Sequence, residues 1–84
     1  MHVEFLGIPR ERVGLSEVVV EAETLGQLVR ALGQRYPALG DLITADRLHP
    51  SIAASLNGDA FVNDPGTRLT PDDRVLILSA DVGG

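Results

Sequence analysis

The 84-residue chain contains no cysteine. Disulfide staples, zinc–thiolate sites, iron–sulfur clusters, persulfide chemistry on the chain and a thiol nucleophile are excluded together. Lysine is absent as well, because all seven cations are arginine: Arg10, Arg12, Arg30, Arg35, Arg47, Arg68 and Arg74. A Schiff-base amine is therefore excluded, and so are copies joined through side-chain amines. No apolar run approaches the roughly 18 residues of a membrane span. The opening Met1-His2-Val3-Glu4-Phe5 lacks the basic start and long apolar stretch of a secretory signal, so a cytoplasmic location is expected. Positive charge is in the minority, with 12 acidic residues against 7 basic ones and a net charge of -5. A surface that tracks phosphates needs the opposite sign, so neither nucleic acid nor a membrane is an expected partner.

What is present reads as one small globular domain. Hydrophobic residues make up 44% of the chain and charged ones 23%, close to the average for soluble domains and unlike a disordered tail. Residues 2–8 read as a first strand, Pro9 to Gly14 as a turn-rich connection, and the β-branched stretch Ser16 to Ala22 as a second strand. Thr24 followed by Gln27 has the form of a capping box. Leu25, Leu28, Val29, Leu32 and Tyr36 then share one helical stripe, and Pro37 stops the ladder, so the spacing predicts a helix over 25–36. In residues 38–51, Leu39, Leu42 and Ile43 suggest one short turn that plugs the core. Ile52 to Leu56 and Ala60 to Val62 flank Asn57-Gly58-Asp59, and Asn-Gly best holds the positive φ angles of a type I′ turn. Arg74 to Leu78 is an unbroken apolar approach of the kind shown by a central strand buried on both sides. The expected class is α+β, in the order ββαββ. Two hairpins surround one helix, with the last strand in the middle of the sheet. If that strand runs parallel to the first, the helix supplies the crossover.

No conventional active site emerges. His2 and His49 lie far apart in sequence and read as surface histidines rather than a metal pair, so no metal site is assigned. Asp72-Asp73 reads as a turn former that bonds the local backbone. Serines 16, 51, 55 and 79 have no histidine in a recognisable nucleophile arrangement, and the nine glycines form no phosphate-cradling loop. By elimination, the candidate is the terminus Leu78-Ser79-Ala80-Asp81-Val82-Gly83-Gly84. Composition alone places glycine at both final positions about 1% of the time, and less on average usage. Two residues without Cβ make the thinnest peptide, able to thread a narrow tunnel and accept unusual φ/ψ angles. The terminal carboxylate is inert until activated, most simply by adenylation with ATP, whereupon it becomes an acyl donor. The expected organisation is a domain over 1–79 and a flexible tail over 80–84.

At this point the residues resemble a known family. The ββαββ order, the length and the terminal Gly-Gly look like the ubiquitin-like β-grasp sulfur carriers, the MoaD/ThiS family. Phe5-Leu6-Gly7-Ile8-Pro9-Arg10-Glu11-Arg12-Val13-Gly14 is similar to the first-strand signature of the small subunit of molybdopterin synthase. The likeness extends through the helix, the Asn57-Gly58 hairpin and the Leu69-to-Val75 approach to the last strand.

The resemblance implies that an E1-like adenylating enzyme, using ATP and magnesium, activates the Gly84 carboxylate. A sulfur donor then leaves a thiocarboxylate there. The chain itself would hold no cofactor and catalyse nothing alone, acting as the sulfur-donating subunit of a molybdopterin synthase-type complex. Gly83, Val82, Asp81, Leu78, Ala60, Leu6 and Arg10 are the implied partner contacts. The implied acceptor is the large subunit of molybdopterin synthase or another sulfur-accepting enzyme. Members of that branch commonly carry aromatic and proline residues before the tail, where this chain has Leu78-Ser79-Ala80-Asp81. Carriers for thiamine thiazole, cysteine or tRNA thiolation, and a ubiquitin-like modifier attached through Gly84, are the alternatives. Aspartates 59, 64, 72, 73 and 81 are expected to steer a basic partner towards the tail.

Overall fold

The computed structural model describes residues 1–80. The elements in chain order are β1 (His2–Phe5), α1 (Ile8–Val13), β2 (Glu17–Val19) and α2 (Leu25–Arg35), then a 3-10 turn at Pro37–Leu39. They continue with β3 (Ile43–Thr44), β4 (Arg47–Leu48), β5 (Ile52–Leu56), β6 (Ala60–Val62) and β7 (Arg74–Ser79). Five strands form one mixed sheet in the order β2-β1-β7-β5-β6, and β3 pairs with β4 in a separate small hairpin. β7 runs parallel to β1, with Val3 opposite Val75 and Phe5 opposite Ile77. On its other side it runs antiparallel to β5, with Ala53 opposite Leu78 and Ile52 opposite Ser79. This is the ubiquitin-like β-grasp arrangement, with the last strand at the centre and α2 in the connection between the two halves.

The capping box forms. Thr24 Oγ1 accepts the Gln27 N–H, while Gln27 Oε1 reaches back to the Glu23 N–H rather than to that of Thr24. The remaining donors of the first turn are taken by the loop before β7, with Leu25 N–H on Thr67 O and Gly26 N–H on Pro65 O. Leu25, Leu28, Val29 and Leu32 of α2 are buried against Val3, Phe5, Ile52, Ala54, Val75 and Ile77 of the sheet. Phe5 meets Tyr36 edge-on at 6.1 Å between ring centroids. Leu39 and Leu42 plug the end of this core, as the sequence suggested, and Ile43 is partly buried against it.

Several boundaries differ from the sequence reading. The first strand stops at Phe5 rather than residue 8, because Gly7 turns the chain at φ 64° into a short helix where a loop was expected. Pro9 sits in the first turn of that helix and Gly14 closes it at φ 80°, with its N–H on Arg10 O. Proline inside the start and glycine past the end is a helix signature, but six residues are too few to show a period. The second strand is confined to Glu17–Val19. The helix expected to end at Tyr36 ends at Arg35. Residues 43–48 form the β3–β4 hairpin, which the sequence did not reveal; its turn holds Ala45 at φ 57°. The last strand is buried on one face only. Val75 and Ile77 point into the core while Leu76 and Leu78 are half-buried on the opposite face.

The Asn57-Gly58 turn adopts positive φ at both central residues, 55° and 71°, and closes with Asp59 N–H on Leu56 O. Asn57 also locks the entry to β7: its Oδ1 accepts the Arg74 N–H at 2.8 Å and its side-chain amide donates to Asp73 Oδ1 at 2.9 Å. Asp73 Oδ2 accepts the Thr70 N–H, so the expectation of a backbone-bonding turn former holds for this residue. These bonds, the one from Asn57 foremost, hold the Asp73 carboxyl below its ordinary value. A lowered folded value makes the charged form a stabilising one, present above the unfolded value near 3.9 and lost as pH falls through the folded value. In urea denaturation across acid pH, Asp73→Asn should therefore be less stable than wild type near neutrality. The gap should close steadily below about pH 4.

Candidate functional site

The site is built around the end of β7. On one flank Ser79 Oγ accepts the Ile8 N–H at 3.0 Å, the first amide of α1. On the other, the Ala80 N–H donates to Ser51 O at 2.7 Å, one rung beyond the last strand residue. Leu6 N–H bonds Ile77 O at 2.9 Å, which carries the β1–β7 ladder past the end of β1. The root of the C-terminal segment is thus tied to both neighbouring chain segments. Asp81, Val82, Gly83 and Gly84, the centre of the sequence-based assignment, lie outside the described residues.

Gly7 makes the first tie possible. Its backbone, at φ 64° and ψ -136°, lies in a region that side-chain-bearing residues avoid. A Cβ there would stand 2.5 Å from Ser79 Oγ. Gly7→Ala should therefore lower unfolding free energy by about 2 kcal/mol or more. Urea denaturation checks this, together with loss of the Ile8–Ser79 bond followed by the Ile8 amide shift.

Beside the exit, the sheet face opposite α2 carries an apolar patch. Leu6 is 45% exposed and follows His2 and Glu4 in the alternation of β1; Leu78 is half-buried. Next to Leu78 a recess of about 250 Å³ is lined by Ala53, Phe61, Leu78, Ser79 and Ala80. Phe61, at 73% exposure, is the most exposed large hydrophobic among the described residues. Sequence reasoning named Ala60 instead. The register explains the difference: Ala60 pairs with Leu56 and Phe61 with Ser55, and side chains alternate along a strand. Leu56 packs against the core, so Ala60 belongs to the helix-side face while Phe61 joins Leu78. The signal was available in the alternation of Ala60-Phe61-Val62 once Val62 is taken as the inward residue. The patch therefore contains the aromatic that Leu78-Ser79-Ala80-Asp81 lacks.

Arg10 is exposed on α1, and neither it nor Glu11 takes part in an ion pair among the described residues. Its neighbour Arg12 anchors the helix instead, donating to Asp41 Oδ1 at 2.5 Å and to Ala38 O at 3.1 Å. That hydrogen bond holds the Asp41 carboxyl below its usual range and raises the guanidinium above its own. Of the aspartates expected to surround the tail, Asp59, Asp72 and Asp73 lie elsewhere. The Asn57–Asp59 turn and Asp72-Asp73 sit where β7 begins, the far end of the strand from its exit. Only Asp64 shares a groove with Ala80. Among the described residues, no group of three or more histidine, cysteine, aspartate or glutamate side chains is placed to hold a metal ion. Nor is any helix there long and apolar enough to cross a membrane.

A small β-grasp domain whose central strand ends tied on both flanks beside an apolar patch belongs to the class of ubiquitin-like carriers and modifiers. The model described as "ThiS family" matches residues 3–84, and the chain belongs to that family of sulfur carriers and ubiquitin-like modifiers. Among solved structures it is similar to small archaeal modifier protein 1 from Methanosarcina acetivorans, at 27% identity and a TM-score of 0.80 over 99% of this chain and 94% of that one. It is also similar to a chain in the BexX/CysO complex of Amycolatopsis orientalis, at 23% identity and a TM-score of 0.79 over 99% and 98%. A third likeness is to a chain in the complex of subunits 1 and 2 of molybdopterin-converting factor from Helicobacter pylori, at 24% identity and a TM-score of 0.67 over 99% and 96%. The last two show the shared fold. No curated protein sequence matches the chain.

Proposed function

We propose that the protein is a sulfur carrier whose Gly84 carboxylate is converted to a thiocarboxylate, and that its sulfur goes to molybdopterin synthesis. The observation that carries this reading is the exit of β7, bonded on both flanks one residue before Asp81 and bordered by the Phe61–Leu78 recess. The carboxylate oxygen attacks the α-phosphorus of ATP within an E1-like adenylating enzyme, with magnesium supplied there, and pyrophosphate leaves. A sulfur nucleophile then attacks the acyl carbon and AMP departs. The product sulfur is anionic and soft, and the chain offers no cysteine to capture it.

Molybdopterin synthesis is favoured by the Phe5-to-Gly14 signature. The fold shared with one chain of the molybdopterin-converting factor complex adds to it. In this reading Leu6, Leu78 and Phe61 meet the large subunit, Arg10 borders that contact, and Asp81, Val82 and Gly83 carry Gly84 into its pocket. A second reading, attachment of Gly84 to other proteins, is favoured by the likeness to a protein described as a modifier, which has higher identity and TM-score than the molybdopterin-converting factor chain.

Intact mass spectrometry after incubation with the activating enzyme, ATP and a sulfur source separates the readings. Sulfur transfer predicts a mass gain equal to one oxygen replaced by sulfur, localised to Gly84 and absent when Gly84 is deleted. Protein adducts without that gain would support attachment instead. For the partner surface, Phe61→Asp should change unfolding free energy by less than about 0.5 kcal/mol, because the ring is exposed. It should weaken binding to the large subunit at least about tenfold in titration calorimetry, as loss of an aromatic anchor does.

A further inference from the structure

One histidine is wired to the root of the tail. Ser51, whose carbonyl accepts the Ala80 N–H, has its own N–H directed at His49 Nδ1 at 3.0 Å, and Ser51 Oγ lies 2.8 Å from the same nitrogen. His49 is held in turn by its N–H on Leu42 O and by its carbonyl, which accepts the Ile52 N–H. An amide N–H can only donate, so the ring atom facing it carries a lone pair and the proton of the neutral ring is on Nε2. The side chain is exposed, so water reaches it freely. Once Nδ1 takes a proton it becomes a donor. It must then abandon the Ser51 N–H, and the acceptor beside it is Ser51 Oγ.

We propose that His49 is a positioning residue for the C-terminal tail: the neutral ring fixes the Ser51 backbone and hence the Ala80 tie, and protonation at Nδ1 releases it. The significance for sulfur loading rests on the carrier reading above; the clamp itself does not. The charged groups around the ring are Asp41, with its partner Arg12, and Asp46, Arg47 and Asp64, which line the same groove as His49. Asp41, its carboxyl held below the ordinary value by the hydrogen bond from Arg12, and Arg12, raised above its own, keep their charges across the pH range of the test. The other imidazole, His2, pairs with Glu17 and lies opposite Arg74, at the far end of β7.

The test uses the whole chain. Amide hydrogen exchange at Ser51 and Ala80 is followed by NMR between about pH 8 and about pH 5.5, corrected for intrinsic exchange. In wild type, and equally in the control His2→Gln, protection of both amides should fall about fivefold on acidification, the scale of one hydrogen bond. His49→Asn places an amide oxygen near the Nδ1 position without a titrating proton, and should keep protection at both ends of the range. His49→Phe offers no acceptor and should lack it at both. The thiocarboxylate yield of wild type relative to His49→Asn, in which the activating enzyme's own pH dependence cancels, should fall with the same profile. Matching exchange profiles for wild type and His49→Asn, or full protection in His49→Phe at neutral pH, would overturn the proposal. If the exchange pattern holds but no variant acquires sulfur at any pH, the clamp stands and the carrier reading falls.

Discussion

The parallel pairing of the last strand with the first governs this molecule. Parallel neighbours need a crossover, and the crossover here contains α2, whose apolar stripe covers the same sheet face that β1 and β7 present to it. Val3, Phe5, Val75 and Ile77 are essentially without solvent contact for that reason. The strand that leads to the terminus, the middle one of five, is therefore bonded on both edges and anchored in the core. Displacing its exit would mean breaking ladder bonds to β1 and β5 together. The end of the chain, ordinarily the least constrained part of a domain, begins from one of its best-held points.

The two faces of the sheet divide the work. The helix side closes the core, with no buried polar side chain left without a partner among the described residues. The opposite side carries exposed Leu6 and Phe61 and half-buried Leu78 around the exit, so the surface there is chiefly apolar. Charge is distributed differently. The acidic turns containing Asp59, Asp72 and Asp73 stand at the entry end of β7, where Asp73 serves Asn57 and Thr70 rather than an approaching protein. A net charge of -5 still shapes long-range encounter, but among the described residues the Leu6–Leu78–Phe61 surface is apolar rather than acidic.

Elements with a long or special local signature were legible in the sequence. The α2 stripe runs through three turns and starts at a capping threonine, and the Asn57-Gly58 turn needs two positive φ angles that few residue pairs accept. The central place of β7 was legible in its apolar density, although that density overstated its burial: Leu76 and Leu78 face outwards. What was hidden is short or depends on register. α1 has six residues, and the strands of the β3–β4 hairpin have two each, too few for periodicity to speak. Ala60 and Phe61 exchange roles on a one-residue change of register, because strand side chains alternate. In the wiring from His49 through Ser51 to Ala80 the first link is local, two residues apart, but the second joins residues that only the β5–β7 pairing brings together, so the spacing in the sequence does not encode it.

A rigid root matters to the carrier reading because Gly84 lies only four residues past Ala80, a reach of at most about 14 Å when fully extended. If Gly84 is to reach a reacting centre inside another protein, the exit of β7 must come within that distance of it, and docking must bring it there. A loosely held root would spread the terminus over a larger volume and lower its effective concentration at the target. Tying Ser79 to Ile8 and Ala80 to Ser51 removes that freedom before binding, so less ordering remains when a partner docks. Gly7 supports this most directly, since its missing Cβ is what lets Ser79 approach Ile8. The fold thus fixes where the chain leaves the sheet, at Ala80.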